Sequence, residues 1–392
     1  MSDGLPDHCD VLIVGAGPAG ATAAIACAER GLDVVLAERS AFPRPKVCGC
    51  CLNARSLSVL ARVGVLPSLE AASGTPLQRL AVHAGGRRAA IALPRGLAVS
   101  RDRLDFELAT AAATRGASFH DRCRVRSLAP HENGEHWRAE LDDRGRHKRL
   151  TTSVVLVAEG LAGRLLEGTA LGGVRTRRDA KIGVGTWVEV ENHHAAPGVI
   201  TMASGAGGYI GAVVLEDGRL DVAAAIDPDA SREAGGPGPL IASLLRRNGV
   251  DLGFDPAARV WRGTPRLTRQ RLRLADGGVF VLGDAAGYVE PFTGEGMAWA
   301  MSAGLAVAPL AEQAVERWHP ELSERWTATM RRLVRRRQRW CRAISFVLRH
   351  PPLAGAMVGA MKVTPGLSRP VVTSINEPVT PGPRGERVEQ CV

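Results

Sequence analysis

Three thiols stand within four residues of one another in the run PRPKVCGCCLN, residues 43–53, which we call the thiol loop. Such thiols can donate protons, act as thiolates, form disulfides or bind a metal ion. The run lacks the paired C-x-x-C spacing and the histidine partners of a zinc site, so we predict no metal. Pro43 and Pro45 indicate an extended loop. Because adjacent residues of an extended loop point to opposite sides, Cys50 and Cys51 are not expected to face the same group.

A glycine pattern that can hold phosphate groups begins ten residues into the chain. In the run DVLIVGAGPAGATAAIACAERGLDVVLAER, residues 10–39, a strand predicted for 11–14 leads into Gly15, Gly17 and Gly20. These glycines permit a tight turn, a close approach of the backbone to a pyrophosphate, and close packing of a helix on the strand. The amide-rich N-terminus of that helix is expected to point at the pyrophosphate.

A helix predicted for 18–30 and a second strand predicted for 33–37 complete a dinucleotide-binding βαβ unit. Glu38 ends the second strand, where a carboxylate can accept both ribose hydroxyls of an adenosine and would repel a 2′-phosphate. The other predicted contacts of this unit are Ala16, Ala19 and Arg39. The complete unit predicts that the chain binds a dinucleotide.

A second segment, GGVFVLGDAAGYVEPFTGEGMAWAMSAG, predicts a strand over 279–282, a loop, and a helix that begins at Met297. Ligands of open α/β sheets bind at the carboxyl ends of the strands, where Asp284 stands. The segment resembles the second FAD fingerprint of the p-hydroxybenzoate hydroxylase superfamily. The resemblance implies that Asp284 contacts the ribityl chain and that the helix N-terminus faces the flavin. The cofactor contacts predicted in this segment are Gly283, Asp284, Pro291, Gly294, Gly296 and Met297.

The thiol loop also carries a family resemblance. Lys46, Cys48 and Gly49 match the K-x-C-G element of the geranylgeranyl reductase family of flavoproteins. The resemblance covers residues 8–175 and 275–310. It implies that the backbone at Cys48 and Gly49 runs beside the isoalloxazine, that these residues and Lys46 contact FAD, and that Cys48 is the candidate catalytic residue.

Three interpretations of the side chains of Cys48, Cys50 and Cys51 stay open. They are incidental side chains on a close loop, a thiol that donates a proton or tunes the flavin, or a transient disulfide or a thioether to the flavin. A reactive thiolate requires a lowered pKa, and we expect the positive charge for it to come from Lys46.

Two intermediate segments agree with the resemblance. Arg101 opens an R-x-x-L-D run before a predicted amphipathic helix, and in the family this Arg lies near the FAD phosphates. The strand after that helix passes the adenine in the family, which points to Val125. Residues 153–166 resemble the internal strand-D-G motif but carry Glu159 where Asp is usual, so a functional contact of Glu159 stays open.

Length and patterning predict an α/β protein with three parts. A Rossmann-type FAD-binding domain takes residues 8–75, 99–175 and 275–318. Alternating strand patterns broken by glycine-rich turns predict an antiparallel β-sheet substrate (cap) domain over 76–98 and 176–274, covering the flavin.

The third part is a C-terminal basic helical segment, residues 319–392, with 13 Lys or Arg against 5 Glu and no Asp. A basic amphipathic helix predicted for 324–350 either docks its apolar stripe on the protein's own core, which we favour, or lies on an anionic membrane. The charge lies on one helix without stacking aromatics, so we predict no nucleic-acid binding. The polar N-terminus and scattered cysteines favour a cytoplasmic protein, with possible membrane association.

These observations predict a FAD-dependent oxidoreductase. A reductase that transfers the flavin hydride to a carbon–carbon double bond of an apolar, isoprenoid- or polyketide-like substrate is favoured. The P-x-x-Y-x-W-x-F-P signature of prenyl reductases has no match, so a geranylgeranyl substrate is not supported. The alternatives are an aromatic monooxygenase that uses NAD(P)H and O2, and a non-catalytic or electron-carrying flavoprotein. With no second G-x-G-x-x-G, NADPH, NADH or another donor is expected to visit the flavin transiently.

Overall fold

The computed structural model describes residues 4–72, 74–131, 136–290, 294–348 and 350–376. The strands are, in chain order, β1 (His8–Val14), β2 (Val34–Ala37), β3 (Cys51–Leu52), β4 (Thr75–Ala84), β5 (Arg87–Ala98), β6 (Ser118–His120), β7 (Cys123–Pro130), β8 (Trp137–Asp143), β9 (Arg146–Val157), β10 (Val174–Thr176), β11 (Ile182–Val188), β12 (Val199–Gly205), β13 (Gly208–Val214), β14 (Leu220–Ile226), β15 (Arg262–Arg266), β16 (Arg269–Arg271), β17 (Ala275–Asp276), β18 (Val279–Val281) and β19 (Gly287–Tyr288). The α-helices are α1 (Pro18–Ala28), α2 (Ala54–Arg62), α3 (Leu66–Ala71), α4 (Arg101–Thr114), α5 (Pro228–Glu233), α6 (Pro237–Arg247), α7 (Gly283–Ala286), α8 (Gly296–Glu316), α9 (Glu321–Leu348), α10 (Pro351–Val363) and α11 (Arg369–Asn376).

One sheet carries the dinucleotide-binding unit. Its strand order is β17–β18–β9–β1–β2–β6, and β8 joins β9 to β7. Strand β1 pairs in parallel with β2 and β9, and β18 pairs in parallel with β9. The carboxyl ends of these strands therefore meet at one edge of the sheet, where ligands of such sheets bind. The glycine turn after β1 and Asp284 after β18 are both at this edge.

A second sheet forms the cap, in the order β15–β11–β14–β13–β12–β4–β5–β3. Its neighbours are antiparallel except β12 and β4, which are parallel. The sheet extends beyond the predicted cap residues, because β3 pairs with β5 at Cys51–Leu52 and β4 begins at Thr75. The thiol loop therefore leads from the cofactor domain directly into the edge of the cap sheet. A third, small sheet has the order β10–β16–β19.

Helices α1 and α8 pack backbone to backbone beside the first sheet. Helix α1 is buried from Pro18 to Cys27, because its run of Ala and Gly leaves little side chain between elements. A Cβ built at Gly304 of α8 would lie 2.5 Å from the carbonyl oxygen of Ala19. Pro309 lies inside α8 and does not end it.

The C-terminal segment packs onto the body of the protein through α9. The side chain of Trp326 is fully buried, and its indole Nε1 donates to the carbonyl oxygen of Val281 at 3.1 Å. Met330 and Leu348 of the same helix are also buried. Among the described residues, no helix combines the length and the apolar character that crossing a bilayer requires.

The α/β fold class predicted from the sequence is confirmed, and local details differ from the expectations. The segment after β18 was expected to be a loop, but it forms the short helix α7 and then β19. Helix α8 begins at Gly296, one residue before the predicted start. These differences arise because hydrogen-bonded turns and short pairings form within glycine-rich sequence that carries no periodic apolar signal.

Candidate active site

The phosphate end of the site is the turn between β1 and α1. Gly15 has a φ of +102°, and a Cβ there would lie 2.6 Å from the carbonyl oxygen of Ala158. A Cβ at Gly20 would lie 1.9 Å from the carbonyl oxygen of Gly15. Gly17 caps α1 without a side-chain hydrogen bond, so the first amides of the helix are free to bind phosphate oxygens.

A row of alternating charges leads from this turn to the thiol loop. The carboxylate of Glu38 accepts from Arg44 Nη2 at 3.3 Å, and Arg44 Nη1 lies 3.1 Å from Asp105 Oδ2. Arg101 donates to Asp105 through Nε at 3.0 Å and Nη2 at 2.8 Å. Asp105 is fully buried, so it fixes both guanidinium groups in place. The Nη2 atoms of Arg101 and Arg44 both lie 3.8 Å from the position of a Cβ at Gly17, where they can neutralise a pyrophosphate.

Lys46 and Asp284 line the same part of the site as Gly17 and Arg101. Burial raises the pKa of the Asp284 carboxyl, and the charges of Lys46 and Arg101 act against that rise. Burial lowers the pKa of Lys46, and the charge of Arg101 lowers it further. The Nζ atom of Lys46 lies 3.1 Å from the position of a Cβ at Gly160, close to the segment that carries Glu159.

Glu159 lies at the cavity wall, and its carboxylate accepts from the backbone N–H of Leu165 at 3.1 Å. Burial raises the pKa of this carboxyl, whereas the Leu165 hydrogen bond and the charge of Arg39 lower it. Its contact within the protein is therefore a local one that shapes residues 160–165.

Cys48 is the thiol with the most polar surroundings. Its Sγ lies 3.9 Å from Met297 Sδ, and Arg101 lines the same cavity. The hydrogen bond from Cys50 lowers the pKa of Cys48 to about 6, against the opposing effect of burial, and the charge of Arg101 lowers it further. The expectation that Lys46 supplies the positive charge is therefore wrong; Arg101 supplies it, because the N-terminus of α4 lies against the loop.

The backbone of the thiol loop also differs from the extended form that we expected. Cys50 adopts a left-handed conformation with a φ of +49°, so it does not alternate with its neighbours as a strand residue would. Cys48, Cys50 and Cys51 all contribute to the cavity wall. Cys50 therefore does not alternate with Cys51 as an extended loop would require, and the expectation of opposite sides is wrong at this residue.

A cavity of about 700 Å³ joins the two sheets at this site. One end is polar and is lined by Gly17, Arg39, Arg101 and Asp284. The other end is apolar and extends between the cap sheet and the C-terminal helices. Its side chains include Leu80, Val82, Ile91, Ile200, Met202, Tyr209, Ile344, Met357, Met361 and Val372.

The cavity brings together most of the residues predicted to bind the cofactor. Those that line it are Gly17, Ala19, Arg39, Lys46, Cys48, Gly49, Arg101, Asp284, Gly294, Gly296 and Met297. Gly15, Ala16, Gly20, Glu38 and Gly283 shape the turns behind the wall. Val125 is buried in the main core on β7, and the structure does not place it on the described cavity wall. Pro291 lies outside the described residues.

The residues at the polar end fit FAD. The open amides of α1 and the two flanking guanidinium groups match a pyrophosphate. A Cβ built at Gly49 meets nothing within 4 Å in the protein, so the loop leaves open space on the side where a flat ring would lie. Asp284 and the N-terminus of α8 complete the other side.

Sequence reasoning missed three charged residues of the site. Arg44 lies between two prolines and carried no motif signal, although it bridges Glu38 and Asp105. Asp105 was present in the R-x-x-L-D run, where its spacing of four residues from Arg101 could have indicated an ion pair. Asp221 of β14 is buried close enough to Cys50 for its charge to raise the pKa of that thiol, and no local pattern marks it.

The fold and this site define a FAD-dependent oxidoreductase. The chain belongs to the FAD binding domain family, which matches residues 8–206. It is 29% identical over 323 residues to a menaquinone reductase of Mycolicibacterium smegmatis, covering 77% of this chain and 76% of that protein. It is 26% identical over 318 residues to a digeranylgeranylglycerophospholipid reductase of Methanopyrus kandleri, covering 78% of each.

The predicted resemblance to geranylgeranyl-reductase-like flavoproteins is confirmed by these relatives. Among solved structures, a triple mutant of a flavin-dependent brominase superposes with a TM-score of 0.78, covering 94% of each chain at 18% identity. At that identity the likeness shows a shared fold and does not assign a reaction.

Proposed function

We propose that the protein reduces a carbon–carbon double bond of an apolar, isoprenoid- or polyketide-like molecule. The observation that carries this proposal is the apolar half of the cavity, which continues from the thiol loop to the C-terminal helices. When bound and reduced, FAD supplies the hydride. The names of two relatives, a menaquinone reductase and a digeranylgeranylglycerophospholipid reductase, support this class of substrate, since both molecules carry isoprenoid chains.

The apolar half of the cavity is suited to an unbranched or methyl-branched hydrocarbon chain. Leu80, Val82 and Ile91 line it from the cap sheet, and Met357 and Met361 line it from α10. Burial of each CH2 group in such a wall contributes about 0.8 kcal/mol. Flexible methionine side chains adapt to irregular shapes, so we expect selectivity for chain length and saturation and little selectivity for polar groups.

The protein's own contribution to the reaction is to position the double bond and to provide a proton. Cys48 lies at the junction between the polar and apolar ends, and we propose that the proton reaches the substrate through its sulfur. The electron donor is proposed to be NADPH or NADH, which would bind transiently at the open side near Arg39. In this proposal, the apolar wall also excludes water from the reacting carbon atoms.

We further propose that the C-terminal helices contact an anionic membrane and that an apolar substrate enters from it. Leu353, Val363 and Leu367 are exposed by 48%, 83% and 56%, and the neighbouring segment carries the exposed Arg331 and Arg332. Apolar side chains flanked by basic ones are typical of interfacial helices. The same helices line the cavity, which supports a short path for the substrate.

This contact is tested by flotation with vesicles that contain anionic lipid. The double variant L353S/V363S should bind less than the unaltered protein, and binding of the unaltered protein should weaken as salt increases. Val260 is exposed by 85% in the cap domain, so V260S is the matched control and should bind normally. Equal binding by all three proteins would contradict the contact.

The function is tested by product analysis with isoprenoid quinones and geranylgeranyl lipids. We expect products whose isoprenoid chain has gained two hydrogen atoms, counted after any quinol ring has been reoxidised to the quinone. Gly211 lines the cavity, and a Cβ there has no neighbour closer than 3.9 Å, so G211L should fill the apolar half without disturbing the fold. It should keep FAD and lose turnover, whereas G4L, at an open surface position, should keep both FAD and turnover. Unchanged turnover in G211L would contradict the assigned substrate cavity.

A further inference from the structure

A second cavity of about 520 Å³, which we call the arginine pocket, adjoins the cavity described above, which we call the main cavity. Both cavities are lined by Leu161, Ala162 and Pro265, so only these side chains and their backbone separate them. The charged residues that line the arginine pocket in the described part of the chain are Arg164, Arg269, Arg271 and Glu167. Three cations and one carboxylate give the pocket a positive potential that attracts anions.

The two arginines of β16 face the same side of the small sheet. Arg269 and Arg271 are two residues apart on this strand, so their side chains point in the same direction. Arg269 lies opposite Thr176 of β10 on one side and Tyr288 of β19 on the other. Thr176 also lines the arginine pocket, whereas Tyr288 lines the main cavity. One short strand therefore presents two guanidinium groups to the pocket, immediately beside the main cavity.

Both guanidinium groups are held in place by backbone carbonyls. Arg271 is 7% exposed, and it donates through Nε to the carbonyl oxygen of Ala285 at 2.9 Å and through Nη1 to that of Leu171. Arg269 donates through Nη1 to the carbonyl oxygen of Leu161 at 2.6 Å. Within the described residues, neither side chain forms an ion pair with a carboxylate. The carbonyls fix the direction of both groups and leave both positive charges uncompensated.

These charges oppose each other in the pocket. Burial lowers the pKa of Arg271, and the charge of Arg269 lowers it further, although an arginine stays protonated at neutral pH. Glu167 does not relieve this repulsion, because it is 60% exposed and accepts from Arg164 Nε at 2.9 and 3.1 Å. A phosphate group would relieve it, since its oxygens match the paired N–H donors of guanidinium groups.

We propose that the arginine pocket binds a phosphate group of a molecule whose other end enters the main cavity. The inference rests on the proposed function for the identity of that molecule. It is either the nicotinamide dinucleotide that reduces the flavin or an isoprenoid substrate that carries a phosphate head group. In both cases a phosphate lies at a distance from the atoms that react. The pocket is larger than one phosphate group, so the adjoining sugar or glycerol unit also fits.

The variant R269Q tests the pocket without turnover. The FAD-loaded protein is titrated with inorganic pyrophosphate in a calorimeter, because FAD then occupies the phosphate-binding turn after β1. Gln can still donate to the carbonyl oxygen of Leu161 but carries no charge, so pyrophosphate should bind at least about tenfold more weakly. R266Q is the matched control and should bind normally, since Arg266 also donates to two carbonyl oxygens but is not among the described lining residues of either cavity.

A second pair of variants removes no hydrogen bond of either arginine. Thr176 is exposed and lies opposite Arg269, so T176E places a carboxylate beside the guanidinium group. This carboxylate should take the place of the anion and abolish pyrophosphate binding without lowering the melting temperature. T176Q has nearly the same size without the charge, and it should bind pyrophosphate within about threefold of the unaltered protein.

Steady-state kinetics then identify the molecule that carries the phosphate. If it is the reductant, R269Q should raise KM for NADPH about tenfold and leave KM for the isoprenoid and kcat unchanged. If it is the substrate, R269Q should raise KM for an isoprenoid diphosphate about tenfold. KM for the matching isoprenoid alcohol and for NADPH should then stay unchanged.

No pyrophosphate binding by the unaltered protein, or equal binding by R269Q and T176E, would overturn the arginine pocket. Weakened pyrophosphate binding in R269Q with no change in either KM would overturn the link to the main cavity. If the unaltered protein reduces no double bond, the proposed function fails, while the titration still decides whether the pocket binds phosphate. If it reduces the double bond and R269Q binds pyrophosphate normally, the pocket fails and the proposed function stands.

Discussion

The replacement of Glu38 gives the sharpest test of the dinucleotide assignment. Its carboxylate already accepts from the backbone N–H of Ala16 at 3.1 Å, from that of Ser40 at 2.9 Å, and from Arg44 at 3.3 Å. A carboxylate offers about four acceptor sites, so one remains for a ribose hydroxyl while Arg44 stays in place. The structure therefore leaves room for one such bond, where the sequence suggested two.

The expected loss of affinity follows from that count. A hydrogen bond to a charged group contributes about 1.5–3 kcal/mol, and about 1.4 kcal/mol corresponds to a factor of ten in affinity. We expect E38Q to weaken FAD binding roughly 10- to 150-fold. We expect E38R to weaken it further, because it also places a second cation against Arg44.

The assay is a titration of the apoprotein with FAD, followed by quenching of flavin fluorescence. FMN lacks the adenosine, so its weaker binding should be the same in the unaltered protein and in E38Q. Glu70 pairs with Arg95 at the surface, so E70Q is the matched control and should bind FAD normally. FAD affinity in E38Q within twofold of the unaltered protein, or an equal loss for FMN, would refute the reasoning.

Three further predictions concern the thiol loop and the tail. G49V should leave the melting temperature unchanged, because a Cβ there meets nothing within 4 Å of the protein, and should lose FAD in the same titration; retained FAD would show that the loop is not beside the flavin. C48S should bind FAD normally and lose turnover by roughly 10²–10⁴-fold if the proton passes through this sulfur; a change below about tenfold would leave only a packing role. Deletion of 319–392 should cause aggregation, measured by light scattering, because it exposes the surface that buries Trp326. Deletion of 351–392 should leave a folded protein that binds FAD and fails to turn over apolar substrates. A monodisperse product of the first deletion would contradict docking on the core.

The sequence predicted the cofactor unit well because its signals are local. The glycine turn, the strand after it and Glu38 lie within thirty residues, and each has a direct physical reason at its position. The apolar stripe of the C-terminal basic helix was also predictable from the sequence, since Trp326 and Met330 lie at helical spacing and both are buried. Local periodicity is a good guide wherever one element alone decides which side chain is buried.

The surroundings of the thiols could not be predicted in the same way. Arg101 and Asp221 reach Cys48 and Cys50 from elements about 50 and 170 residues further along the chain. The positive charge was therefore assigned to Lys46, the nearest basic residue along the chain. Tertiary packing instead brings Arg101 close to Cys48. The left-handed conformation of Cys50 also has no local signal, because nothing in C-G-C-C distinguishes it from an extended loop.

The central claim is that electrons stored on this protein pass to a carbon–carbon double bond. The most direct measurement is to reduce the FAD-loaded protein without oxygen, mix it with an isoprenoid quinone in a stopped-flow instrument, and analyse the product by mass. The account predicts that the flavin absorbance returns without oxygen and that the isoprenoid chain of the product has gained two hydrogen atoms, which remain after a chemical oxidant has returned any quinol ring to the quinone. Recovery of the absorbance only after oxygen is admitted, with a product that has gained an oxygen atom, would contradict it.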